Sequence, residues 1–337
     1  MDISSRKRLI LQKIIALYTM YGDPVGSKYL EPLLEISVSS ATIRNEMAEL
    51  TELGLLEQPY TSAGRIPTTM GFKYYVDNLL RAKPLTDEEK QLITKIIAEM
   101  DTDPDKAAEQ AAKFLAHMTG LAAITTTPKG GNIQITRFEI VKTGRYNLAL
   151  LGITSIGGVK SRVCRVAEEL DERQLSAVNS VINDHLVFVS PEDIDQKLLN
   201  TVSAFFGNDA MLLAPIVSAA VAIIKSASDV KVFAEGQQNL LTYEELDDSI
   251  KELLELFSDS EAIMSRMNVG EQLSFFVGGA FGIENLGMVM GRYRVAGGRH
   301  GVLAIAGPVR MDYGFVIPRL SFFRDIMSAA LTNPGFN

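Results

Sequence analysis

The chain has 337 residues, 47% apolar and 22% charged, a composition typical of a soluble globular protein with two or three domains. Its net charge of -8 argues against general nucleic-acid binding, but the charge is uneven. Residues 1–82 hold 9 Lys/Arg and 9 Asp/Glu, so the remainder carries the whole excess. A neutral N-terminal region can still bind DNA if its basic groups share one face.

Cysteine and histidine usage predicts neither a disulfide framework nor a metal site. Cys164 is the single cysteine, and the three histidines are far apart in the sequence. No nucleophile–base pair and no phosphate-cradling motif is visible, so we expect no catalytic residue, no enzyme activity and no cofactor. The longest uncharged apolar stretch, 210–224, is shorter than the ~20 residues of a membrane span. No signal-peptide cleavage site follows the basic start. We therefore expect a cytoplasmic protein without membrane contact.

Apolar periodicity predicts three helices at the N-terminus. An amphipathic helix over 6–21 is followed by a short helix near Ser27, which Pro32 disturbs. A third helix begins at Ser39 or Ser40 and ends at Leu53-Gly54, with an inward stripe of Ile43, Met47 and Leu50.

Two short extended runs, 55–60 and 66–69, then flank a turn that contains Gly64. Three helices and a hairpin match the winged helix-turn-helix plan, in which the third helix reads bases. Arg65 is expected at the wing tip, near the DNA backbone or minor groove. The predicted DNA-binding residues are Ser39, Ser40, Thr42, Arg44, Asn45, Ser62, Gly64 and Arg65. The same elements can also build a protein–protein module, and this alternative stays open.

Four segments carry a family resemblance: Val38–Leu50 (VSSATIRNEMAEL), Thr61–Thr68 (TSAGRIPT), Gly236–Leu241 (GQQNLL) and Gly301–Tyr313 (GVLAIAGPVRMDY). Together they strongly resemble the signature of the HrcA heat-inducible repressors. The middle of the chain, about 125–230, matches in pattern only. Tyr60 stands where a histidine is usual, and Glu31-Pro32 is unusual in the second helix. These two departures bear on the fine preference for the operator.

The resemblance implies a multidomain α+β fold with a discontinuous middle domain. The expected parts are a winged-helix DNA-binding domain over 1–82, a GAF-like α/β domain over 83–167 and 243–337, and an inserted α+β dimerisation domain over 168–242. Strand patterns lie at 134–141, 146–154, 159–166, 230–234, 284–293 and 301–306. Helical patterns lie at 87–100, 105–119, 168–182 and 247–267, with further helices through 224.

The resemblance also implies a function. A homodimer would bind an inverted-repeat operator in double-stranded DNA upstream of chaperone operons, and a GroEL-type chaperonin would keep the repressor active. The predicted dimerisation residues are Met211, Leu212, Leu213, Ile216 and Val217, because this stretch is more apolar than one small domain needs. Burial in an internal core is the alternative explanation. A ligand-sensing GAF-type transcription regulator that responds to a small molecule is the alternative function.

Overall fold

The computed structural model describes residues 3–61, 63–101, 103–129, 133–227, 229–259, 262–263, 267, 270 and 272–332. The α-helices, numbered along the chain, are α1 Ser5–Tyr21, α2 Ser27–Leu30, α3 Ser40–Glu52, α4 Thr69–Asn78, α5 Asp87–Ala98, α6 Pro104–Thr119, α7 Glu172–Leu186, α8 Gln196–Ala204, α9 Ala210–Ser226, α10 Ile250–Ser258 and α11 Tyr313–Thr332. The strands are β1 Leu56–Glu57, β2 Ile66–Pro67, β3 Ala122–Thr126, β4 Ile135–Lys142, β5 Asn147–Thr154, β6 Val159–Arg165, β7 Val232–Glu235, β8 Ser274–Phe276, β9 Leu286–Arg294 and β10 His300–Pro308. The fold is mixed α+β, as expected.

The strands form one hairpin and two separate antiparallel sheets. Strands β1 and β2 make the hairpin of the N-terminal head. A five-stranded sheet has the order β7-β3-β10-β9-β8, and a three-stranded sheet has the order β4-β5-β6. The five-stranded sheet is covered on one face by α6 and α11 and on the other by α10 with the 3₁₀ turns before it. One face of the three-stranded sheet packs on α7, α8 and α9.

The two sheets divide the chain differently from the predicted boundaries at 168 and 242. Strands β4 to β6 were assigned to the GAF-like domain, but they share a core with α7 to α9 and do not pair with β9 or β10. The chain leaves the five-stranded sheet after β3 and returns in β7, its antiparallel neighbour. Two hydrogen bonds close this junction: the backbone N–H of Thr127 donates to the carbonyl of Lys231, and the backbone N–H of Lys231 donates to the Thr127 hydroxyl. Residues 128–230 therefore lie, along the chain, between two strands that pair with each other, whereas the predicted insertion covers 168–242.

Most helices and strands predicted from periodicity are confirmed within a few residues, and four elements were missed. These are α4, β3, β8 and α11; β3 shows no polar–apolar alternation, and α11 is apolar on most faces. The helix predicted over 247–267 is wrong in extent, because 3₁₀ turns precede α10 and α10 ends at Ser258. Part of the remaining stretch lies outside the described residues.

Helix α9 is the one helix among the described residues that is long and apolar enough to cross a membrane, counted with the 3₁₀ turn before it. Its mean hydropathy is 1.7 over Gly207–Ser226. In the fold it is the central helix of the second core, where Ile216, Ala220 and Ile223 are fully buried. Its apolar character is explained by this burial.

A buried ion pair fixes the linker between the head and the body. Arg319 of α11 is almost fully buried, and its guanidinium donates to both carboxylate oxygens of Glu89 on α5 at 2.6 and 2.7 Å. The same guanidinium donates to the carbonyl of Lys83 in the linker. Glu89 also accepts from the backbone N–H of Thr86 in a capping box. The Arg319 guanidinium holds the pKa of Glu89 below its ordinary value of 4.5.

We predict that Glu89→Gln lowers the free energy of unfolding by about 1–2 kcal/mol near pH 7, since glutamine keeps the cap but loses the charge. A depressed carboxylate pKa contributes stability that is complete above the unfolded-state value and is lost as the pH falls through the folded-state value. The difference in the free energy of unfolding between wild type and Glu89→Gln should therefore shrink as the pH falls below 4.5. Urea unfolding of both proteins between pH 3 and 7, at steps of about one pH unit, measures this difference.

Lys90→Gln is the control for this comparison, because it breaks the exposed pair with Asp87. Its effect should stay below about 0.5 kcal/mol. A difference between wild type and Glu89→Gln that does not change with pH would contradict the assignment of the ion pair.

Candidate nucleic-acid interface

The third helix, α3, is anchored by one apolar stripe and capped at its start. Ile43, Met47 and Leu50 are buried at spacings of four and three. The Ser39 hydroxyl accepts from the backbone N–H of Thr42 at 3.2 Å, which satisfies a first-turn donor. The helix begins at Ser40, as the sequence predicts, and the stripe fixes which face remains outside.

The outer face of α3 presents Arg44 and Asn45, which are both exposed. Neither side chain makes a hydrogen bond or ion pair with any residue in the described part of the chain. Ser40 is half-buried, and its hydroxyl lies 3.2 Å from that of Ser27 in α2. Ser39 and Thr42 are occupied with each other at the cap. The five predicted residues of this helix thus separate into two that face solvent and three that also hold the helix.

Two of the three acidic residues of α3 form ion pairs with the first helix. Glu46 accepts from Arg6 at 3.1 Å and from Lys7 at 3.0 Å, and Lys7 also contacts Glu49 at 2.7 Å. The hydrogen bonds with Glu49 and Glu46 raise the pKa of Lys7. These pairs draw the carboxylates of Glu46 and Glu49 toward α1 and away from the face that carries Arg44, while the third acid, Glu52, is exposed at the last residue of α3.

The hairpin after α3 is ordered by one side chain. The Gln58 amide donates to the carbonyls of Thr61 and Ala63 at 2.9 and 3.0 Å, which closes the tip. Tyr60 is 62% exposed at this tip. The predicted site residue Ser62 lies outside the described residues. Tyr60 was noted in the sequence only as a departure from the family pattern, and its position makes it a tip residue.

The predicted position of Arg65 at the wing tip is wrong. Its backbone N–H and carbonyl pair with those of Val25 at 2.9 Å, just before α2. Its Nε donates to the Thr51 hydroxyl at 3.0 Å, so the side chain lies against the end of α3. Arg65 directly precedes β2, and its direction is determined by pairing with Val25 of the same chain. Its role here is to hold the hairpin to the helices.

Gly64 is needed at the same junction. A Cβ on this residue would overlap the carbonyl oxygen of Val25 and approach the backbone nitrogen of Gly26. Only glycine lets the hairpin backbone come this close to the strand-like segment before α2. Gly64 therefore sets the distance between the wing and the second helix.

The predicted dimerisation residues differ in burial: three are buried, one is partly buried and one is exposed. Leu213, Ile216 and Val217 are buried in the core that α9 shares with the three-stranded sheet, so they contribute to the chain's own folding. This part of the prediction is corrected, because the apolar surplus of the stretch is used internally. Leu212 is partly buried against the same core, and Met211 is 90% exposed.

A different apolar surface is exposed on the outer face of the three-stranded sheet. Val141 pairs with Ala149, and Ala149 pairs with Val163, so these three side chains form one cross-strand row. Leu151 and Val159 lie on the same face by alternation. Val163 is 73% exposed. Strand β6 is also an edge strand: it pairs with β5 on one side, and no described strand pairs with its other side.

Comparison with known proteins gives first the class of protein to which this chain belongs and then its family. A head of three helices and a hairpin, joined to a mixed α+β body, is found in transcription regulators, and the relatives of this chain are transcription repressors. The family model for the HrcA protein C-terminal domain matches residues 105–317. The chain belongs to the HrcA family.

Individual relatives match over nearly the whole chain. The heat-inducible transcription repressor HrcA of Moorella thermoacetica is 31% identical over 98% of both chains. That of Clostridium botulinum (strain Eklund 17B / Type B) is 31% identical over 94% of both. A crystal structure of a hypothetical protein superposes over 98% of both chains with a TM-score of 0.65 at 23% identity, which supports the fold.

We predict that Gly64→Ala destabilises the chain by about 2 kcal/mol or more, because the added methyl group must displace the Val25 backbone. Urea unfolding measures the change. Gly26→Ala is the matched control, since a Cβ there meets nothing within 4 Å and its φ of -92° suits any residue. The control should stay within about 0.5 kcal/mol of wild type. Equal stability of both variants would contradict the close contact.

Proposed function

We propose that the chain represses transcription by placing α3 in the major groove of a double-stranded operator. The observation that carries this proposal is the outer face of α3. Arg44 and Asn45 are exposed and unpaired among the described residues, while Glu46 and Glu49, two of the three carboxylates of the helix, are drawn to α1. An arginine fork can pair with a guanine edge and an asparagine amide with an adenine edge. Burial of the opposite face fixes the helix rigidly enough for such contacts.

The wing assists from the side in this proposal. Tyr60 at the tip reaches the backbone or minor groove beside the helix, and Gln58 keeps the tip closed. Arg65 and Gly64 act as positioning residues, because they hold the hairpin against Thr51 and Val25. The serine and threonine hydroxyls at the start of α3 lie where a helix N-terminus can accept a phosphate.

We assign the three parts of the chain separate roles. Residues 1–82 form the winged-helix DNA-binding head. The five-stranded unit is a GAF-like scaffold, and the unit between about 128 and 230 is the inserted dimerisation domain. The junction at Thr127 and Lys231 supports the last assignment, because an insertion leaves and re-enters a domain through adjacent strands.

We propose a homodimer joined through the outer face of the three-stranded sheet. A single winged helix reads only a few base pairs, whereas two heads related by a two-fold axis read an inverted repeat. The row of Val141, Ala149 and Val163 is apolar, and the unpaired edge of β6 adjoins it. A second copy of the chain presents the same apolar face, so the two faces can bury each other.

Heat induction follows from mass action in this proposal. Among the relatives, the repressor is named heat-inducible, and the family resemblance implies a GroEL-type chaperonin as partner. Heat produces misfolded proteins that occupy the chaperonin, so fewer chaperonin molecules remain to restore the repressor. Its folded population falls, and repression is relieved. Footprinting on a chaperone-operon promoter, with and without chaperonin, tests this dependence.

We predict that Arg44→Ala weakens specific operator binding by ~1–3 kcal/mol if Arg44 pairs with a guanine edge. Fluorescence anisotropy with operator and random duplexes measures the loss. Arg173→Ala, which removes an exposed arginine from α7, is the control and should leave both affinities unchanged. Equal loss on both duplexes would make Arg44 a phosphate contact. No loss on either would exclude this face of α3 as the reading surface.

We predict that Val163→Asp dissociates the dimer, because a carboxylate on each copy would be buried in the shared apolar face. Sedimentation equilibrium measures the mass, and operator affinity should fall with it. Met211→Asp is the control, since Met211 lies on the exposed start of α9. A dimer that persists in Val163→Asp but dissociates in Met211→Asp would place the dimer interface on α9 instead.

A further inference from the structure

The hairpin between β9 and β10 carries a concentration of positive charge that DNA reading by the head does not use. Strand β9 ends at Arg294, β10 begins at His300, and two left-handed glycines, Gly297 and Gly298, turn the chain between them. This hairpin lies at the end of the five-stranded sheet remote from the head. At the opposite end of the sheet, the Asn285 amide, next to Leu286, donates to the carbonyl of Glu245. Arg310 pairs with Glu245 and donates to the carbonyl of Thr19 in the head.

Strand register brings the basic side chains together. Arg294 is the cross-strand partner of His300, and Lys129 bridges His300 from the other side. Arg292 lies two residues before Arg294 and so on the same face of β9. Arg294, His300 and Lys129 therefore form one row across three segments of the chain, and each position carries a cation or an imidazole.

A cavity of about 540 Å³ opens at this hairpin. Its polar lining consists mainly of Arg292, Arg294, Arg299 and His300, with the two glycines of the turn. No aspartate or glutamate of the described residues lines it. In a chain with a net charge of -8, the lining of this cavity is an unusual local excess of positive charge.

Arg292 and Arg299 have few partners among the described residues. Arg292 forms no ion pair with any acid in the described ranges. One terminal nitrogen of Arg299 is buried and has no hydrogen-bond partner, while its Nε donates to the carbonyl of Ala296. Burial lowers the pKa of Arg299, and burial, Arg292 and Lys129 together lower the pKa of His300. The contributions of Arg292 and Lys129 to the lowered pKa of His300 fit a positive potential at this hairpin.

The nearest acids line a different and smaller cleft. Asp103, Asp105 and Asp229 share that cleft with Arg299, which lies between the two cavities. Asp105 is paired with Lys231. Arg299 therefore lines both cavities, and none of these three carboxylates lines the larger one.

We propose that the cavity at the β9–β10 hairpin binds a small anion carrying two or more phosphate groups. Guanidinium groups present forked donors that match phosphate oxygens in pairs, and three of them exceed what one phosphate needs. The volume falls within the ~300–1,000 Å³ of small-molecule sites. The glycine turn lets the backbone approach the ligand closely. The site is independent of the DNA-binding head.

Isothermal titration of the full chain with inorganic pyrophosphate tests the proposal, with ionic strength held constant by sodium chloride. We expect saturable binding that Arg292→Gln and Arg299→Gln each weaken by about tenfold or more, the effect of losing one charge-assisted contact. Arg292→Lys should retain part of the affinity. A thermal unfolding midpoint equal to that of wild type, measured without pyrophosphate, shows that Arg292→Gln is folded.

Two control variants locate the binding. Arg162→Gln removes an exposed arginine from β6, and Arg44→Gln removes the one on α3; neither should change the affinity for pyrophosphate. ATP in place of pyrophosphate tells the two sources of phosphate apart: equal affinity supports recognition of the phosphates alone, and tighter binding supports a nucleotide. Absence of saturable binding of both, or a loss with Arg44→Gln as large as with Arg292→Gln, would overturn the proposal.

Discussion

The structure depends on one continuous apolar core that the head shares with the body. Helices α1 and α4 contribute Ile15 and Phe72, and the same cluster continues through Val316 and Leu320 of α11 to the five-stranded sheet. Because close-packed interiors do not deform continuously, this core fixes the direction in which the head points. The orientation of α3, and with it the position of Arg44, is therefore set by burial far from any DNA.

Polar contacts at the rim of this core give it a defined geometry. Arg310, half-buried, donates to the carbonyl of Thr19 at the end of α1 and pairs with Glu245 of the 3₁₀ turn that precedes α10. Its guanidinium also lies 5.2 Å from the centre of the Tyr243 ring. A single side chain thus ties the head to segments on both sides of the five-stranded sheet. A displacement of those segments would have to break charge-assisted contacts before the head could turn.

Local features of the sequence predicted the parts of the interface that local interactions determine. The stripe of Ile43, Met47 and Leu50 and the Ser39 cap fixed the face of α3, because helix period and capping depend on neighbours within four residues. Arg65 was misplaced because its position follows from pairing with Val25, forty residues away. The domain boundaries and Leu213 were misjudged for the same reason. Which strands pair, and which apolar residues are used internally, depends on contacts between distant segments.

The distribution of charge gives a physical reason for the two heads of the proposed dimer. The affinity of a protein for DNA comes largely from cations that neutralise phosphates, yet residues 1–82 hold as many acids as bases. Arg6 and Lys7 are paired with the acids of α3, and Arg65 is turned against Thr51, so these three cations serve the fold. A head of this kind gains little from electrostatic attraction alone and relies on base contacts made by a few side chains. Joining two heads adds those contacts, and it does so without the non-specific binding that a more basic surface would bring.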